Sequence, residues 1–253
     1  MTNLHRIQQH VLEILTQVKN QLQADLSYQT IQIKSSSTDL VTERDKSVEQ
    51  QIITYLKNYF PEAHFVSEEG FGDHVNNLQG LVFFVDPIDG TMNFIKAHDQ
   101  FASMIGVYLN GQPLFGAIID IIEDQLYYGG AGLGSFVNGR KLPQLIDVPL
   151  SQGLVMISNR FLNDVPYQNV KNQSSGLRVF GSAGISFTRL LRGSAILYIS
   201  KLKPWDMAAG WAIGKPLGLI MRTIDGTPIS MLKSQTVIIG TRCATEEAER
   251  ILS

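Results

Sequence analysis

A chain of 253 residues that is 44% hydrophobic and 17% charged can bury one large core or two small ones, and its composition is not that of a disordered segment. A formal net charge of −2 and the absence of any long basic run argue against a nucleic-acid or anionic-membrane partner. No apolar run reaches the ~18 residues of a membrane span, the N-terminus shows no secretory signal, and Cys243 stands alone, so a reducing cytoplasm is the expected compartment.

Leu4, Ile7, Val11, Leu15, Val18 and Leu22 recur at three- and four-residue spacing and predict an opening amphipathic helix. Ile31 and Ile33 alternate, and a polar stretch from Lys34 to Asp45 leads into a second helix from about Thr42 to Phe60, stopped by Pro61. His64-Phe65-Val66 predicts a short strand that runs into two adjacent acids, Glu68 and Glu69, before Gly70.

Leu81 to Val85 is an unbroken apolar run, the pattern of a strand buried on both faces. It ends at Asp86-Pro87-Ile88-Asp89-Gly90-Thr91, where Pro87 cannot donate to a ladder and Asp89-Gly90 is a turn pair. A short helix starting at Gly90 or Thr91 would aim free N–H groups at the space that Asp86 and Asp89 face, a place for an anion. Carboxylates so close to a phosphate would repel it unless divalent cations lay between them, and oxygen ligands suit Mg²⁺. Each acidic stretch also has an ordinary structural account. Asp86 to Thr91 can be a simple turn, Glu68-Glu69 a solvated one, and Asp206 a helix cap.

Beyond Phe94 the pattern turns β-rich, with Ala102 to Leu109, Pro113 to Ile121 and Gln125 to Tyr128 as strands and Asn110-Gly111 and Asn138-Gly139 as hairpin signals. Gly130 to Gly134 lacks the spacing of a dinucleotide loop, and its glycines are assigned to tight turns. From about residue 150 a second alternation begins. Strands are expected at Gly153 to Ile157, Leu177 to Phe180, Ala195 to Ile199 and Val237 to Ile239, and helices at Val165 to Asn172, Gly184 to Arg192, from about Pro204, and Thr245 to Leu252 with Thr245 as cap. Small residues after Asp206 permit close helix packing.

Four separated stretches, Asp39-Leu40-Val41-Thr42 with Asp45, Ser67-Glu68-Glu69, Asp86 to Thr91, and Pro204-Trp205-Asp206 with Ala208-Ala209-Gly210, together resemble the inositol monophosphatase family. Gly181-Ser182-Ala183 fits a fifth motif of that family. The resemblance implies an α+β fold, a layered αβαβα sandwich, with an N-terminal lobe (1–150) carrying a metal and phosphate site and a C-terminal lobe (151–253) completing it. It implies a Mg²⁺-dependent, lithium-sensitive phosphatase, usually a homodimer, in which metal-activated water attacks the phosphorus of a small phosphorylated polyol or sugar. Carried over by position, Glu69, Asp86 and the Ile88 carbonyl hold one Mg²⁺, Asp86, Asp89 and Asp206 a second, and Glu69 a weaker third through water. Asp45 and Thr91 take the roles of orienting and activating water, with Glu69 beside them. The Gly90 and Thr91 amides receive phosphate oxygens, and Asp89, Asp206, Ser182 and Ala183 border the substrate.

The chain departs from the family where a glutamate often binds a sugar hydroxyl seven residues before the last aspartate. Ile199 stands there, so altered substrate recognition is expected. The alternatives are a same-fold phosphatase for a nucleotide 3′-phosphate, NADP or fructose 1,6-bisphosphate, and a non-catalytic Mg²⁺-binding homologue. The latter should have lost Asp45, Thr91 or a metal acid, and this chain has lost none.

Overall fold

The computed structural model describes residues 4–24, 31–33 and 40–252, without the side chains of 31–33 and 40–42. The Asp39 end of the first motif therefore lies outside the described residues, as does the Lys34 to Thr38 stretch.

The opening helix α1 (Leu4–Ala24) and α2 (Glu43–Tyr59) follow the predicted spacing. Between them lies a small antiparallel pair, β1 (Ile31–Ile33) with β2 (Leu40–Thr42). A seven-stranded sheet follows, built in the order β3 (His64–Ser67), β4 (Leu81–Asp89), β5 (Ala102–Leu109), β6 (Gln112–Asp120), β7 (Gln125–Gly130), β8 (Gly134–Val137) and β9 (Arg140–Lys141). β3 lies parallel to β4, and the other pairings are antiparallel. Asn110 and Gly111 both take positive φ, 49° and 76°, as do Asn138 and Gly139, 46° and 79°, the conformation a two-residue hairpin turn demands.

The second sheet is five-stranded, in the order β11 (Gly176–Arg178), β10 (Leu154–Ile157), β12 (Leu197–Leu202), β14 (Gln235–Gly240), β13 (Ile220–Thr223). β10, β11 and β12 run parallel to one another.

The period-two alternation of buried strands sorts the core into layers. Phe83 and Val85 of β4 pack with Val11, Ile14, Val48 and Ile52 of α1 and α2. Val82 and Phe84 face the other way, toward α5 (Ala183–Leu191) and α6 (Pro204–Gly214), through Phe187, Ala208 and Ile213. On the far side of those helices stand Tyr198, Leu202, Val237 and Ile239 of the second sheet. Its outer face, with Val155, Ile157, Ile199 and Ile238, is covered by α4 (Val165–Asn172) and α7 (Arg242–Leu252). The result is the expected αβαβα sandwich.

Three expectations need correction, and one strand is added. The strand expected at Ala195 to Ile199 runs Leu197–Leu202, because its register is set by pairing along its whole length with β14, out to Leu202 opposite Gln235. β13, which had no clear signature in the sequence, is held at the sheet edge by β14. The last helix begins at Arg242, and Thr245 is a fully buried interior residue and not its cap. The backbone N–H of Cys243 is satisfied from outside the helix, by Asp147 Oδ1 at 2.8 Å, so no local cap is needed. Finally, Ile199 is fully buried under the α4 and α7 layer, while its neighbours Tyr198 and Ser200 line the cavity described below. The apolar residue at that position is a core residue, and the expectation built on its facing the substrate falls.

Candidate active site

A cavity of about 830 Å³ opens where the end of β4, the start of α5, the start of α6 and the ends of β10, β11 and β12 meet. Glu68, Asp86, Asp89 and Asp206 all line it, as do Gly90, Thr91, Ser182 and Ala183.

Asp86 sits where the β4–β5 register becomes irregular, between the pairs Asp86 with Met104 and Asp89 with Ala102. Pro87 interrupts the ladder there, and the displaced chain leaves both acids of the Asp-Pro-Ile-Asp stretch beside the cavity. Asp86 is 1% exposed and its Oδ1 is buried with no hydrogen-bond partner. Burial, followed by the charges of Glu68, Asp89, Asp206 and Asp45, holds its carboxyl well above the usual range.

Asp89 is held differently. Ser182 Oγ donates to its Oδ2, the Ala183 N–H donates to Oδ1 at 2.9 Å and the Gly184 N–H to Oδ2 at 2.7 Å. The carboxylate thus closes the positive end of α5. Burial nevertheless raises its pKa, with these three donors pulling the other way. Ser182 and Ala183 therefore border the cavity as expected, and they also anchor Asp89.

Gly90 precedes α3 (Thr91–Lys96) with φ of 86°, and a Cβ there would stand 2.9 Å from the Ser182 Cβ, so both conformation and space call for glycine. Thr91 Oγ1 lies 3.2 Å from the Ile88 carbonyl oxygen and 3.4 Å from Asp45 Oδ1. Asp45 is 2% exposed in the first turn of α2, so the two residues that the resemblance pairs on water are neighbours across 46 positions of chain. Asn93 Nδ2 donates to the Phe180 carbonyl at 2.7 Å and ties α3 to the segment before α5.

Asp206 lies in the first turn of α6, where its Oδ2 accepts the Lys203 N–H at 2.7 Å. This is the cap read from the sequence, yet burial and the nearby charges of Glu68 and Asp89 push its pKa up to about 8. The cap and the acidic cluster are both real at this residue.

The correction at the site concerns Glu69. It is the Glu68 side chain that lines the cavity and whose charge raises both Asp86 and Asp206, while its ammonium neighbour Lys203 stands 3.4 Å away. Glu69 does not line the cavity, and its carboxyl Oε2 is buried. Phe65 packs on the α1 and α2 side, Ser67 Oγ donates to Glu49 Oε1 of α2 at 2.7 Å, and the Glu69 N–H donates to Glu49 Oε2 at 2.6 Å. Val66 packs toward α5 and α6, and Glu68 continues on that side. Counting alternation outward from Phe65 would have chosen Glu68.

Glu49 had no signal in the sequence. Fully buried on α2, it also accepts the Phe71 N–H at 2.9 Å, so one carboxylate receives three donors from the segment that carries Glu68.

The arrangement has a consistent chemistry. Four carboxylates around one floor repel each other, one of their oxygens is buried without a partner, and every available ligand atom is a hard oxygen. A divalent cation of the Mg²⁺ or Ca²⁺ kind meets all three conditions. Among the described residues no three His, Cys, Asp or Glu side chains stand at the closer spacing that holds an ion.

A layered sandwich with an acidic cluster beside a helix start, facing a cavity of this size, is the build of an enzyme acting on phosphate esters. The whole chain, residues 2–253, matches the sequence model of the inositol monophosphatase family. It is 34% identical over 218 residues, 83% of this chain and 82% of the relative, to an inositol-1-monophosphatase of Bacillus subtilis (strain 168). Among solved structures, an IMPase/NADP phosphatase complexed with Mg²⁺ and phosphate superposes with a TM-score of 0.92 at 28% identity, covering 98% of this chain and 95% of the other. A dual specific IMPase/NADP phosphatase bound with D-inositol-1-phosphate gives 0.91 at 28% identity, covering 99% and 96%. The chain belongs to the inositol monophosphatase family, a family of phosphoric monoester hydrolases.

Proposed function

We propose that this protein hydrolyses a small phosphorylated polyol or sugar, with inositol 1-phosphate as the first substrate to try, using Mg²⁺ held by Glu68, Asp86, Asp89, Asp206 and the Ile88 carbonyl. The observation that carries this reading is the convergence of Glu68, Asp86, Asp89 and Asp206 on one cavity, with Asp86 Oδ1 buried and unpartnered. When bound, two or three such ions supply charge neutralisation and lower the pKa of water.

The chain's own residues do the rest. The Asp45 and Thr91 pair orients the attacking water and takes its proton at the Asp45 carboxylate. Gly90 and Thr91 present backbone N–H groups toward the phosphate oxygens, so that charge developing on phosphorus meets fixed donors. Asp89, itself fixed by Ser182, Ala183 and Gly184, keeps its position as substrate enters. Direct displacement by water requires no covalent intermediate.

Among the described residues no helix is long and apolar enough to cross a membrane. A cytoplasmic homodimer is part of the proposal, resting on the lone cysteine and the family resemblance. Lithium sensitivity rests on the resemblance as well.

A phosphate-release screen with Mg²⁺ tests the reading, over inositol 1-phosphate, glycerol 2-phosphate, fructose 1,6-bisphosphate, adenosine 3′,5′-bisphosphate and NADP. Release from at least one, abolished by chelation and restored by Mg²⁺, is the expected result. A chain that binds Mg²⁺ yet releases phosphate from none of them would be the non-catalytic homologue.

A further inference from the structure

The cavity that ends on the four carboxylates has a second charged region. Arg160, Arg178 and Lys201 also line it, and all three are exposed. None of them is in an ion pair among the described residues, and the cavity has no acid besides the four carboxylates. Arg178 Nη1 donates to the adjacent Leu177 carbonyl at 2.8 Å and the guanidinium is otherwise available.

Topology gathers these three residues. β11, β10 and β12 are neighbours and parallel, with Met156 of β10 opposite both Arg178 and Tyr198. Arg178 is the last residue of β11, Arg160 follows the end of β10 by three residues, and Lys201 is next to last in β12. All three cations therefore stand at the carboxyl edge of one parallel unit, where ligands of open α/β sheets bind. The outer two strands are two spacings, about 10 Å, apart. The acids that would hold the cations on the scissile phosphate come from other elements, the end of β4, the segment after β3 and the start of α6.

A phosphate monoester of a neutral polyol uses only the acidic end of such a cavity. Three exposed cations outside any described ion pair, gathered on the same cavity in a chain of net charge −2, offer a place for a second negative group. Resting on the phosphatase reading above, we infer that the alcohol half of the preferred substrate carries a second anionic group, a phosphate or a pyrophosphate, and that Arg160, Arg178 and Lys201 hold it. About 830 Å³ is room for a ligand with two such ends.

The test compares substrates in pairs that differ by the second anion: inositol 1-phosphate with inositol 1,4-bisphosphate, fructose 1-phosphate with fructose 1,6-bisphosphate, and adenosine 2′-phosphate with 2′-phosphoadenosine 5′-diphosphate. At low salt kcat/KM is expected to favour the doubly anionic member of at least one pair by about tenfold or more, chiefly through KM, and the favoured pair distinguishes a phosphate from a pyrophosphate. The preference should shrink as salt rises, since exposed charges are screened within ~10 Å at 0.1 M. It should collapse toward parity in the triple variant Arg160→Gln, Arg178→Gln, Lys201→Gln, whose retained unfolding temperature would show that it folds. Calorimetric binding of the same ligands, with Mg²⁺, separates the two layers of the argument. Tighter binding of the doubly anionic members without hydrolysis would support this subsite and overturn the phosphatase reading. Equal binding and equal kcat/KM within every pair, or a preference that survives the triple variant, would overturn the subsite.

Discussion

Replacing Asp86 with asparagine is expected to lower phosphate release by on the order of 10²–10³-fold, the usual loss when a preorganised charge-stabilising group is removed, and at the same time to make the ion-free protein more stable. Both effects come from one feature. Asp86 is buried with an unpartnered oxygen among three other acids, so its negative charge is costly until a cation arrives. A carboxyl whose folded pKa is raised leaves the folded protein binding more protons than the unfolded chain. The stability these carboxyls contribute to the ion-free protein should therefore be fully present below about pH 4, the unfolded carboxylate value, and be lost as pH rises through the folded values. For Asp206 that folded value is about 8, so the decline should extend through neutrality. Thermal unfolding in chelator from pH 5 to 8 should show a falling Tm in the native chain, a shallower fall in Asp86→Asn, and no comparable fall in native protein saturated with Mg²⁺. Native-like turnover in the variant, or an identical pH slope, would remove Asp86 from the cation site.

Gly106→Val is expected to cost about 1–3 kcal/mol of stability, as overpacking commonly does, and to remove activity although it lies in the middle of a strand. Gly106 of β5 pairs directly with Gly116 of β6, and the two make a flat patch on which α6 lies. A Cβ at Gly106 would stand 2.6 Å from the Ala208 Cβ and 2.8 Å from the Ala209 backbone nitrogen, and one at Gly116 would collide with the Ala209 carbonyl. Neither glycine needs a positive φ, so close approach is the reason for both. A valine must lift α6 off the sheet, and Asp206 in its first turn moves with it. Denaturant unfolding and Mg²⁺ titration together check this. Loss of stability with unchanged Mg²⁺ affinity would mean that Asp206 is not positioned through α6.

The same sheet explains what could be read in advance. Alternation and apolar runs placed both outer helices, the β4 strand and the acids at its end, because burial and turn chemistry there are local. Glu68 was within reach of the same rule, since its parity with Val66 sets it on the cavity side. Position in a motif pointed to Glu69, which does not line the cavity and whose backbone N–H donates to Glu49. Other features depend on partners far away in the chain. Asp147 satisfies the start of α7 from 96 residues away, and Glu49 binds a segment 18 to 22 residues on. Ile199 looked like a lost substrate contact until the register of β12 against β14 turned it into the core. The cations Arg160, Arg178 and Lys201 come together only because three strands run parallel.

The central claim is that Glu68, Asp86, Asp89 and Asp206 close on shared divalent cations. Anomalous diffraction from crystals of the native chain soaked in Mn²⁺, an anomalously scattering stand-in for Mg²⁺, tests it most directly. The expected result is one or more peaks at about 2.1–2.3 Å from carboxylate oxygens of these four residues, with Glu69 outside the coordination sphere. Peaks confined to other carboxylates, or a site that includes Glu69 and leaves Glu68 in solvent, would contradict it.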